Sequence, residues 1–169
     1  MSCYEIDQIR QTIKEVLDEK RYEHTLGVMY TAAALAMRYE EDVKKALVAG
    51  LLHDCAKPVS TNLMHAKVGA QFAKEKYNVN DSYILDAICY HTTGRPNMTL
   101  LDKIIYIADY IEPHRNKASN LESVRHMAFV DIDKCLCMIL EATLDYLQTT
   151  CKDIDPLTEQ TYIYYKERI

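Results

Sequence analysis

Apolar residues recur along this chain in steps of three and four, and little interrupts them. Ile6, Ile9, Ile13, Val16 and Leu17 form one such stripe, and Leu26, Met29, Ala33 and Met37 form another. That spacing lines one face of an α-helix. Only 4 Gly and 4 Pro occur in 169 residues, too few chain-benders for a turn-rich sandwich or barrel. No segment alternates apolar and polar residues long enough to demand a strand. The pattern predicts helices over 6–17, 22–39, 42–52, 65–77, 81–90, 100–112, 120–129 and 131–148, and a last one from Asp155-Pro156, a cap followed by Pro at the first helical position. Thr99 is placed to cap the 100–112 helix and Pro113 to stop it. Ser60-Thr61-Asn62 reads as a polar loop and cap region, and Gly94-Arg95-Pro96-Asn97 as a turn. The expected fold is all-α, a helical bundle forming a single domain over 1–169, with helices of 131–169 packed on the rest.

The formal net charge is −5, which excludes broad, nonspecific binding to nucleic acid or an anionic membrane. The longest apolar run, 46–52, falls far short of the ~20 residues that span a bilayer. The segment Met1–Asp7 has neither the basic nor the apolar region of a signal peptide, so a cytoplasmic location is expected. The 6 cysteines are then expected as free thiols. Cys135 and Cys137 point in different directions on one helix and do not have zinc-knuckle spacing. An apolar helix face leaves a homodimer open.

His53-Asp54 directly follows the apolar run 46–52. Asp54 therefore sits at a helix C-terminus, where the macrodipole disfavours a carboxylate by ~0.3–1 kcal/mol. Asp109 repeats the anomaly, with Ile105 and Tyr106 one turn before it. Each carboxylate has an ordinary alternative, a solvated turn residue for Asp54 and an ion pair or exposed rim position for Asp109. A bound cation would remove both penalties. His24 stands at the predicted start of the second helix, His65 opens a helix and His91 closes one. Singly, each reads as a surface or capping residue. Together, His24, His53-Asp54, His65, His91 and Asp109 fall at helix ends, where they can converge on one cavity. Imidazoles and carboxylates without thiolates suit Mn, Fe, Co or Zn, and such an ion activates water and neutralises phosphate oxygens.

These residues resemble the HD superfamily of metal-dependent phosphohydrolases, whose His…His-Asp…Asp signature would be carried by His24, His53, Asp54 and Asp109. The segments 21–28 (Arg-Tyr-Glu-His-Thr-Leu-Gly-Val), 49–58 (Ala-Gly-Leu-Leu-His-Asp-Cys-Ala-Lys-Pro), 90–96 (Tyr-His-Thr-Thr-Gly-Arg-Pro) and 101–113 (Leu-Asp-Lys-Ile-Ile-Tyr-Ile-Ala-Asp-Tyr-Ile-Glu-Pro) are similar to one bacterial branch, the symmetrical bis(5′-nucleosyl)-tetraphosphatases. The resemblance implies an HD-domain, phosphodiesterase-like bundle with its signature core over about 20–128. It implies hydrolysis of diadenosine tetraphosphate to two ADP, with iron or a similar transition metal bound by those four residues. His65 and His91 occupy the slots where longer HD patterns insert histidines, and spacing leaves open a second ion or direct phosphate contact. Asp54 would orient or deprotonate water, and His65 or His91 would protonate the leaving oxygen. Arg21, Lys57 and Arg95 lie within four residues of a proposed ligand and are candidate phosphate clamps, with Arg115 further off. Tyr110 is a candidate to pack on a base or ribose. The expected ligand is a dinucleoside polyphosphate or an ADP-like nucleotide. The rival readings are a nucleoside monophosphate phosphatase, a deoxynucleoside triphosphatase, a catalytically silent nucleotide-binding module and a plain helical scaffold.

Overall fold

A computed structural model of the chain describes residues 6–60 and 64–169. Its elements are α1 (Ile6–Val16), α2 (Glu19–Tyr39), α3 (Val43–Leu52), a 3-10 turn (Lys57–Val59), α4 (His65–Lys76), α5 (Ser82–Cys89), α6 (Leu100–Ile111), α7 (Leu121–Ala128), α8 (Ile132–Thr149) and α9 (Pro156–Lys166). Among the described residues there is no strand. The expected cap region at Thr61 and Asn62 lies outside them.

Short acidic side chains start most of these helices. Asp18, Asp42, Asp81, Asp131 and Asp155 each accept backbone N–H groups of the following first turn. Thr99 and Asp102 form a reciprocal capping box on α6. Each such cap satisfies an otherwise orphaned donor and contributes ~1 kcal/mol. The Asp18 cap moves the start of α2 back to Glu19, so His24 stands in the second turn of its helix rather than at its start.

The packing centres on α6. Leu101, Ile104, Ile105, Tyr106, Ile107, Ala108 and Ile111 are all buried, so the helix is apolar on nearly every side. A helix of that kind must be surrounded, and α2, α3, α5, α7 and α8 contact it. The α2–α3 pair is held close by Gly50, where a Cβ would come within 2.8 Å of Met29 Cα. α8 closes over α6 and α7, and α9 packs on α8. This arrangement brings the C-terminal ends of α3, α5 and α6 beside the second turn of α2 and the first turn of α4. Among the described residues no helix is long and apolar enough to cross a membrane. Cys55, Cys89, Cys135, Cys137 and Cys151 are free thiols, and Cys3 lies outside the described residues.

Candidate metal centre

Two histidines occupy equivalent places just past helix ends. His53 follows α3 and His91 follows α5, and each directs Nδ1 at the carbonyl three residues back, Gly50 O and Ile88 O, both at 2.7 Å. A carbonyl only accepts, so Nδ1 carries the proton in both rings. The bond satisfies a carbonyl left over at the helix end and leaves Nε2 as a lone pair facing inward. On α2, His24 Nδ1 lies 3.0 Å from Glu112 Oε1, which leaves its Nε2 facing inward as well.

The inward atoms converge. His24 Nε2 is 3.1 Å from Asp109 Oδ1, and His53 Nε2 is 3.9 Å from the same oxygen. Asp54 faces both halves of the cluster. Its Oδ2 lies 3.7 Å from His53 Nε2, and its Oδ1 lies 3.2 and 3.6 Å from Nε2 of His65 and His91. The His65 and His91 Nε2 atoms are 3.2 Å apart. Potential ligand atoms of His24, His53 and Asp54 lie within 4.8 Å of one another, and so do those of Asp54, His65 and His91.

These residues fit a divalent ion. Nε2 of His24 and of His53 are buried and lack a hydrogen-bond partner, and buried polar atoms left unpaired are costly. In the neutral ring the His24 lone pair faces a carboxylate oxygen at 3.1 Å, two acceptors that a second proton or a cation between them reconciles. Burial pushes the His53 imidazole down to about 4, keeping it neutral, the form that binds metal. Burial alone would raise both aspartates. Their neighbours outweigh it, among them the His24 ring and the Arg115 guanidinium at Asp109, so both carboxyls lie well below their ordinary range. For His24, burial works against the proton, but the Asp109 and Glu112 carboxylates prevail and raise it.

Cations ring this cluster. Arg21, one turn before His24, donates Nη1 to Asp54 Oδ2 at 2.7 Å. Arg115 donates Nη2 to Asp109 Oδ1 at 2.8 Å. Lys57, on the 3-10 turn, places Nζ 3.4 Å from both ring nitrogens of His65, and burial lowers its ammonium. Arg95 is placed differently. It donates to Asp102 and Asp86 at 2.8–3.0 Å and stacks 4.5 Å over the Tyr90 ring. Asp102 lies two turns before Asp109 on α6, ~10 Å away along the axis. Tyr110 is half-buried and donates its hydroxyl to Asn120 Oδ1 at 2.9 Å.

Sequence reasoning gave no role to Glu112. It follows the last residue of α6, is buried, and accepts at both carboxylate oxygens. A signal was available, because a carboxylate at a helix C-terminus is the same anomaly that singled out Asp54 and Asp109.

A helical bundle that draws four histidines and two aspartates from four helix ends and the second turn of α2 into one buried cluster is built as a metal-binding hydrolase. The HD domain model matches residues 21–114. The chain is 40% identical to the symmetrical bis(5′-nucleosyl)-tetraphosphatase of Bacillus subtilis, over 89% of this chain and 91% of that one. It is 39% identical to the same-named protein of Halalkalibacterium halodurans, over 90% and 92%. A crystal structure from Clostridium acetobutylicum, titled as a predicted HD superfamily hydrolase involved in NAD metabolism, superposes with a TM-score of 0.93 at 36% identity, over 99% of this chain and 100% of that one. The chain belongs to the HD-domain family of metal-dependent phosphohydrolases, in the branch that contains the bacterial symmetrical bis(5′-nucleosyl)-tetraphosphatases.

Proposed function

We propose that this protein hydrolyses diadenosine tetraphosphate symmetrically to two ADP, as one HD unit over 1–169 working in the cytoplasm. The observation that carries the chemistry is the convergence of the His24, His53, Asp54 and Asp109 ligand atoms, with two of the four carrying buried, unpartnered nitrogens. These four hold the divalent ion, iron in our reading. When bound, the ion supplies charge neutralisation at phosphate and lowers the pKa of water. The relatives' name supports the substrate and the cleavage position.

The protein's own groups divide the remaining work. Asp54 stands between the two halves of the cluster, where its carboxylate can orient water or take its proton. His91 presents an Nε2 lone pair, because its proton is held on the Ile88 carbonyl. It therefore serves as an acceptor. His65, with Nε2 against both Asp54 and His91 and with Lys57 beside it, is the better donor to the leaving ADP oxygen. Arg21, Lys57 and Arg115 stand on the rim of the same cluster and suit phosphate oxygens, since phosphoryl transfer depends chiefly on positioning and charge neutralisation. Tyr110, half-buried beside this rim, suits a base or ribose.

Chromatography of the products from diadenosine tetraphosphate and Mn2+ tests the reading. ADP alone is expected. ATP with AMP, or turnover confined to mononucleotides, contradicts it and favours another HD phosphohydrolase activity.

A further inference from the structure

We infer that Glu112 is a positioning residue that sets His24 and the loop bearing Arg115 in one register, joining the metal side of the centre to its phosphate side. The inference rests on the function proposed above. Glu112 is 1% exposed. Its Oε1 meets His24 Nδ1 at 3.0 Å, and its Oε2 accepts the His114 backbone N–H at 2.7 Å. A carboxylate offers only acceptors, so the His24 proton is held on Nδ1 and the opposite nitrogen is turned toward Asp109. A carboxylate of this kind both aims a ligating imidazole and increases its basicity.

The other half of the link runs through the loop after α6. Arg125, from α7, donates to the backbone carbonyls of Ile111, Glu112 and Arg115 at 2.8–2.9 Å. Arg115 in turn donates Nε to the Asp109 carbonyl at 3.0 Å and Nη2 to its carboxylate. Glu112 thus lies where the loop, α6 and α2 meet. Gly27 leaves the room: a Cβ there would collide with Glu112 Oε2. Gly27 lies one turn after His24, so the carboxylate sits against the α2 backbone on the same face as the ring.

The two oxygens serve two donors, and this makes the role testable with a nearly isosteric change. In Glu112→Gln one oxygen becomes an NH2 group, so either His24 or the His114 amide loses its acceptor. The protein is stripped of metal and titrated with Mn2+, its His24 tautomer is read by long-range 1H–15N NMR at alkaline pH, and KM and kcat are measured on diadenosine tetraphosphate. Wild type is expected to show a single Nδ1–H tautomer. Glu112→Ala should show mixed tautomers and bind Mn2+ roughly 10–100-fold more weakly, with KM raised as the Arg115 loop loosens. Glu112→Gln should fall between the two. Gly27→Ala, which displaces an intact carboxylate, should reproduce the loss of affinity. A role confined to stability would lower the melting temperature and leave tautomer and affinity alone. A folded Glu112→Gln or Glu112→Ala variant with Mn2+ affinity within about twofold of wild type and an unchanged tautomer overturns the inference. Should Glu112→Ala not fold, Glu112→Gln decides. Wild type that binds no Mn2+ or leaves the tetraphosphate intact contradicts the proposed function itself, whereas active wild type with indifferent variants contradicts only the role of Glu112.

Discussion

His53 is fully buried, hydrogen-bonded at one nitrogen to a carbonyl and unpartnered at the other. Truncating it removes an imidazole that packs against His24 and His91 in the cluster. His53→Ala and Asp54→Ala are each expected to abolish metal binding and hydrolysis while the helical circular dichroism survives. Normal turnover in either variant would sink the metal-centre assignment. The same burial sets a pH signature. In the metal-free protein, the His53 imidazole should stay neutral until about pH 4, while His24 takes up its proton above the ordinary histidine value. Because His53 is lowered, the folded state binds fewer protons than the unfolded state between about 6.5 and 4. Its contribution to stability is therefore full above that window and lost as pH falls through it. Imidazole 15N shifts against pH report both groups, and a His53 midpoint near 6.5 would contradict the buried geometry. The charged partners of these histidines were the least legible part of the site in sequence. His53-Asp54, Asp109 and Glu112 all carry carboxylates in costly places at helix C-termini, but which histidine Glu112 meets is set only when α6 folds its C-terminus against α2.

At the level of elements, helix ends carry both the architecture and the chemistry. Aspartate caps start α2, α3, α5, α8 and α9, and the sequence pattern placed most of these boundaries within a residue. The exception, α2, starts at Glu19 because Asp18 caps it, and so His24 comes from a helix interior. Arg95, a candidate phosphate clamp in sequence, has carboxylate partners of its own in the fold. It lies four residues after His91, yet its guanidinium serves Asp102 at the opposite end of α6 from Asp109. Asp102 is fully buried at its side chain and Arg95 is 24% exposed. Arg95→Ala is expected to destabilise the fold by about 2–3 kcal/mol, somewhat less than a fully buried pair, because the Thr99 N–H still donates to Asp102 Oδ2. A urea denaturation midpoint checks this. An unchanged midpoint combined with a raised KM would return Arg95 to the phosphate site.

For the molecule as a whole, helical periodicity and scarce glycine and proline make the all-α class legible in the sequence. The order of α-helices follows from where apolar stripes begin and end. Their convergence does not, because it depends on how α6 is enclosed by α2, α3, α5, α7 and α8. Net charge is a similar case. The −5 total includes aspartates that cap helices and two that face the imidazole cluster, while Arg21, Lys57 and Arg115 gather at that cluster's rim. A chain acidic in sum therefore gathers cations around its imidazole cluster. In the proposed function, metal held by His24, His53, Asp54 and Asp109 enables symmetrical cleavage. Its most direct test follows ADP release from diadenosine tetraphosphate as metal is returned to chelator-stripped protein. No ADP is expected without metal, the rate should rise with bound metal, and ADP should be the sole nucleotide product. Undiminished hydrolysis by the stripped protein, or ATP and AMP in place of ADP, would contradict it.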